Sequence, residues 1–175
     1  MAATDVIKTA LERNWGMVDR ALEGLDDATL ARQPNNESNS IAWLLWHMTR
    51  VVDVFIHTRL QTKTQLWVQD GWHQKFGMSD DPATQGGGWS LEQVAAWEPP
   101  PREALLGYVQ AARTAAQEYL ASLSDADLEA SVVSPPGSES RPVSDLLGIL
   151  VFDNVVHGGQ IAYLRGYFGG LGWFV

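Results

Sequence analysis

The sequence predicts an all-α protein: a four-helix bundle with a long, tryptophan-rich connection between its second and third helices. Three observations predict it. Four stretches carry apolar residues at three- and four-residue intervals, signals for β-strands are few, and residues 61–100 are too many for a turn yet too aromatic to stay disordered.

In the first stretch Ile7, Leu11, Trp15, Val18, Leu22 and Leu25 fall on one face of a helix. The second helix begins near Ser40, places Ile41, Leu44, Leu45, Met48, Val51, Val52 and Phe55 on one face, and ends around Leu60. A third follows the Pro99-Pro100-Pro101 brake and runs to about Leu123, with Leu105, Tyr108, Val109, Ala112, Ala116 and Leu120 facing inward. The fourth spans about Pro142 to Tyr167.

Ser90 with Gln93, and Ser124 with Asp127, have capping-box spacing and start short helical turns. The run Leu25-Asp26-Asp27-Ala28-Thr29-Leu30 is echoed by Leu123-Ser124-Asp125-Ala126-Asp127-Leu128, which suggests a duplicated helical hairpin. Trp67, Trp72, Phe76, Trp89 and Trp97 need apolar surroundings, so residues 61–100 are expected to drape over the end of the bundle that holds His47 and His157, with Gly86-Gly87-Gly88 as a flexible joint.

Composition narrows the function classes. The 175 residues suit one domain, 45% hydrophobic and 19% charged, and no stretch approaches the ~20 uninterrupted apolar residues of a membrane span. The amino terminus carries Asp5 and Glu12 and has no secretory cleavage pattern, so a cytoplasmic location is expected. Twelve basic against twenty-one acidic residues give −9 with no Lys/Arg cluster, which argues against nucleic acid as a partner. There is no cysteine, so any metal must be held by His, Asp or Glu.

Four histidines are present. His47 lies at the edge of the second helix's apolar stripe, where a hydrogen-bonded core histidine is the plain reading. Asp153 and His157 stand four residues apart, hence one above the other on the fourth helix, among Ile149, Leu150 and Val156. A carboxylate on such a stripe must be protonated, paired or bound to metal. Asp153 therefore either meets His157, Arg50 or Arg113 as a buried polar pair, or joins His157 and His47 as a three-donor metal site drawn from two helices. Gln160 is placed to hydrogen-bond a ligand or substrate, and Trp43 and Trp72 are assigned to the surroundings of the site. His57 is expected in solvent, His73 in the lid, Tyr163 and Arg165 in packing and surface roles, and the apolar residues 171–175 against the bundle or in a dimer interface.

The run His157-Gly158-Gly159-Gln160-Ile161-Ala162-Tyr163-Leu164-Arg165-Gly166 resembles the closing helix of the DinB-like metalloprotein superfamily, and Ser40 through Met48 resembles its second helix with a single ligand histidine. Asp70-Gly71-Trp72 through Phe76-Gly77-Met78 is similar to a loop of many members. The resemblance implies one divalent ion, zinc, nickel or iron. The family commonly has His-x3-His on the last helix; here Asp153 replaces the first histidine, as in mycothiol-dependent maleylpyruvate isomerase and its relatives, which favours harder ions. It further implies a metalloenzyme acting on a small molecule with a low-molecular-weight thiol. A metal-dependent hydrolase and a non-enzymatic metal or small-molecule binder are the alternatives. Eight tryptophans and the apolar tail lead to the expectation of a homodimer.

Overall fold

Where helices begin at Asp27, Ile41, Leu91 and Asp125, the start is set by a side chain that satisfies the first free backbone N–H groups. In the computed structural model, which describes residues 3–133, 135 and 137–174, α1 (Ala3–Leu22) is followed by α2 (Asp27–Ala31), whose cap Asp26 accepts from Thr29 N at 2.8 Å. Ser40 Oγ accepts from Trp43 N at 3.2 Å and starts α3 (Ile41–Asp53), which continues as a π-helical turn over Val54–Arg59. Next come α4 (Leu66–Gln69), α5 (Trp72–Lys75) and α6 (Leu91–Ala96), the last opened by a capping box of Ser90 and Gln93. Then follow α7 (Arg102–Ser122) and α8 (Asp125–Glu129), where Ser124 and Asp127 form the second box. A short antiparallel hairpin, β1 (Ser131–Val133) with β2 (Ser140–Pro142), leads into α9 (Val143–Gly169).

The hairpin lies outside the sequence expectation; the rest is all-α. The echoed segments fold alike: α2 and α8 are five-residue helices, each burying one leucine, Leu30 and Leu128.

Four long helices enclose the core. The α9 helix packs on α1 and α3, and α7 packs on α3 and α1. The six inward positions expected on α7 are its six buried residues. On α1, Leu11, Trp15, Val18 and Leu22 are buried as expected. Every residue of α3 is buried, because α7, α9 and the connection cover it. Among the described residues no helix is long and apolar enough to cross a membrane.

The fourth stripe differs from expectation. Of the three residues read as inward around Asp153, only Leu150 is buried; Ile149 and Val156 are exposed, together with Phe152, Val155, Tyr163 and Tyr167. The helix is apolar all round, so periodicity does not point to one face. Its inward polar residue is Asn154, fully buried, whose Oδ1 accepts from Trp15 Nε1 at 3.1 Å while its carbonyl accepts from Asn14 Nδ2 at 2.9 Å. Gly158 admits this approach: a Cβ there would lie 2.1 Å from Asn14 Oδ1.

Residues 61–100 are packed as expected. Trp67 and Phe76 are buried, and Trp89 and Trp97 lie against Trp46 with ring centroids 5.2 and 5.6 Å away. Gly86 is no flexible joint. At φ +86° it presses on α3, and a Cβ would stand 2.6 Å from Trp43 and 2.8 Å from Trp46. At the carboxyl end Trp173 packs on the core and Phe174 lies under Arg20, whereas Leu171 is exposed; Val175, part of the expected apolar tail, lies outside the described residues.

Candidate metal centre

A buried ionic cluster anchors the connection one turn from His47. Arg50 is fully buried, and its guanidinium donates to Thr84 O at 2.9 Å, Pro82 O at 3.0 Å, Gln65 Oε1 at 2.8 Å and Tyr108 Oη at 3.0 Å, while lying over the Trp67 ring. Asp53, 3.4 Å from Arg50 Nη1, accepts from Leu66 N and Trp67 N at 2.9 Å each and from Tyr108 Oη at 2.7 Å. Burial pushes the Asp53 carboxyl upward, but hydrogen bonds from His57, Tyr108 and the two amides outweigh it and hold the group below its ordinary range. Burial and the Asp53 charge drive the Tyr108 hydroxyl well above its ordinary value.

This cluster corrects two expectations. His57 is not in solvent: its side chain is 12% exposed, with Nδ1 2.8 Å from Asp53 Oδ1. Neither arginine considered for Asp153 meets it, since Arg50 serves Asp53 and Arg113 pairs with Asp19 at 2.7 Å.

His47, Asp153 and His157 do come together, each offering a ligand atom within 4.8 Å of the others. The His47 Nδ1–H donates to Gln85 O, 2.5 Å away, and the His157 Nδ1–H donates to Gln160 Oε1 at 2.7 Å. Gln85 O can only accept, so a neutral His47 carries its hydrogen on Nδ1 and presents a bare Nε2; a neutral His157 does the same with the Gln160 amide turned oxygen-first toward it. The two Nε2 atoms stand 3.7 and 3.5 Å from Asp153 Oδ2, too long for good hydrogen bonds and close to the separation of two ligands on one tetrahedral ion, about 3.3–3.6 Å.

The second oxygen supplies an independent fit. Asp153 Oδ1 is buried without a hydrogen-bond partner, and an unsatisfied buried acceptor costs about 1–3 kcal/mol or more when charged. Burial raises the Asp153 carboxyl, while contacts with His157 and then His47 outweigh it, so the group stays below its ordinary value; in turn the Asp153 contact holds His157 above its own. Trp43 stacks on His47 at 5.1 Å and 12°, fixing its ring plane.

Of the remaining assigned residues, Gln160 is in place and Trp72 is not. Trp72 packs on Tyr108 with centroids 5.4 Å apart and on Gly107, beneath Lys75, and His73 bonds Trp67 O at 2.9 Å. Sequence reasoning missed the Gln85 carbonyl, since a backbone acceptor leaves no residue-type signal. It also missed Asp53, although Arg50 and Asp53 three apart within an apolar helix are a legible sign of a buried pair.

The sequence profile of the DinB superfamily matches residues 10–161. The chain belongs to the DinB superfamily. A conserved protein of Enterococcus faecalis known from a crystal structure is similar over 95% of this chain and 96% of that one, with a TM-score of 0.81 and 23% identity, which shows a shared fold. No curated protein matches this DinB chain.

Proposed function

We propose that this DinB protein is a divalent-metal enzyme of the thiol-dependent transferase or isomerase type, one four-helix-bundle domain that works as a homodimer. The observation that carries the metal reading is the convergence of two Nε2 lone pairs, each set by a hydrogen bond at Nδ1, on a carboxylate with an orphaned oxygen. His47, Asp153 and His157 would hold the ion. A divalent ion bound there would supply Lewis acidity to a water or thiol.

The chain's own residues orient and enclose. Gln160 fixes His157 from one side and lines a cleft of about 540 Å3 with Ser38, Asn39, Leu44, Val156 and Tyr163. This cleft, one helical turn from the three donors, is the place for a small substrate with both apolar and hydrogen-bonding parts. Trp43 stacks on His47 and is backed by Trp46 and Trp89, an aromatic flank that sheds water. Three protein donors leave room for an external ligand, and the absence of cysteine means that a reacting thiol has to come from outside. The carboxylate-x3-His pattern shared with thiol-dependent isomerases supports that choice.

The test incubates metal-loaded protein with electrophilic probes and mycothiol, bacillithiol or glutathione, with His47→Ala as control. Metal-dependent thiol consumption is expected. Ester or amide hydrolysis without thiol consumption would overturn the thiol reading in favour of a hydrolase.

A further inference from the structure

We propose that the backbone strap 82–86 is part of the metal centre and that Arg50 is the residue that positions it. The inference rests on the metal reading of His47, Asp153 and His157. It concerns how that site is kept ready to bind.

A neutral imidazole exchanges its proton between Nδ1 and Nε2, and only the form with a bare Nε2 can donate to an ion beside Asp153. At His47 the choice is made by the carbonyl of Gln85. A carbonyl has no side chain to anchor it, so its position is that of the backbone on either side. That backbone is held from both flanks. On one, Arg50 uses Nε on Thr84 O and Nη2 on Pro82 O. On the other, Gly86 sits so close to Trp43 and Trp46 that no side chain fits.

The arginine and the histidine lie one turn apart on α3, so a single helix face grips three carbonyls of one strap. The guanidinium is itself fixed by Gln65 Oε1, Tyr108 Oη and Asp53. Arg50 thus acts on the metal through the strap and then through His47, touching neither ion nor substrate. Lysine cannot replace it, because a point ammonium on a flexible stem cannot serve acceptors spread around a planar fork. The tryptophan-rich connection is, on this account, more than a cover: it sets the protonation pattern of a ligand.

The experiment compares wild type, Arg50→Lys, Gly86→Ala and Leu147→Ala, the last removing buried core side chain from α9. Zinc and cobalt affinities are measured by chelator competition, and imidazole 15N shifts of His47 are read in metal-free protein, assigned with His47→Gln. In wild type His47 should carry its proton on Nδ1. Arg50→Lys and Gly86→Ala should weaken metal binding about ten- to hundredfold and mix the His47 tautomers, as loss of an outer hydrogen bond does elsewhere. Leu147→Ala should lose thermal stability yet keep its affinity and tautomer. An Nε2–H tautomer in wild type, Gly86→Ala affinity within twofold of wild type, or an equal loss in Leu147→Ala would each overturn the proposal. If Arg50→Lys does not fold, Gly86→Ala and the wild-type spectrum decide. If wild type binds neither metal, the metal reading fails, while the spectrum still judges the strap.

Discussion

The Nδ1–H of His157 points at Gln160 Oε1, 2.7 Å away and one turn further along α9. The residue that lines the cleft is therefore also the hydrogen-bond partner of His157. Gln160→Ala should weaken metal binding about ten- to hundredfold. Gln160→Glu keeps an acceptor at that point and should retain binding, as isothermal titration of both variants with zinc will show.

Metal analysis of protein purified without a histidine tag should find roughly one divalent ion per chain. His157→Ala and Asp153→Ala should each abolish it, whereas Asp153→His should retain it by restoring the commoner histidine pair. Equal metal content in wild type and His157→Ala would refute the assignment.

Acid should reach the fold through Asp53. Its carboxyl titrates lower in the folded protein than the ordinary 3.8, so its stabilisation is fully present above that value and is lost as pH falls through the folded value. Removing one member of a buried ion pair costs about 3–5 kcal/mol. Asp53→Asn should therefore be less stable than wild type by about that much at neutral pH, and urea titrations should show the gap narrowing as pH drops below 3.8. A gap that stays constant from pH 7 to 2.5 would remove Asp53 from the account of acid stability.

The outward side of α9 bears on assembly. Phe152 is 70% exposed and Val155 47%, an apolar surface beside the cleft of the kind that two-fold pairing covers. Light scattering at micromolar concentration should give a dimer mass for wild type and a monomer mass for Phe152→Glu. A monomeric wild type refutes the dimer.

Much of this architecture was legible in the sequence because burial and helical period coincide on α1 and α7. Leu105 to Leu120 on α7 are the plainest case, every expected inward position being buried. The cluster of His47, Asp153 and His157 was legible for a related reason: a carboxylate and two imidazoles stand on apolar helices, where bare polarity needs a cause. Periodicity failed on α9, where apolar residues surround the helix and Asn154, not Ile149 or Val156, turns inward. His57 was misplaced since Asp53, its partner one turn back, was not recognised as buried. The strap left no trace in residue types, because it acts through carbonyls that every residue has.

Asn14 packs so closely on Gly158 that a side chain at that position would collide with it, which ties the register of α1 on α9. Sliding either helix by one turn, about 5.4 Å, would set a side chain against the Asn14 amide and strip Asn154 of its Trp15 partner. Asp153 and His157 stand next to Asn154 and Gly158 in the chain, so the height of this pair along the bundle is gauged against α1, which contributes no residue to the cluster. Changes on α1 would then retune the distance between His47 and the Asp153–His157 pair without altering any of the three residues.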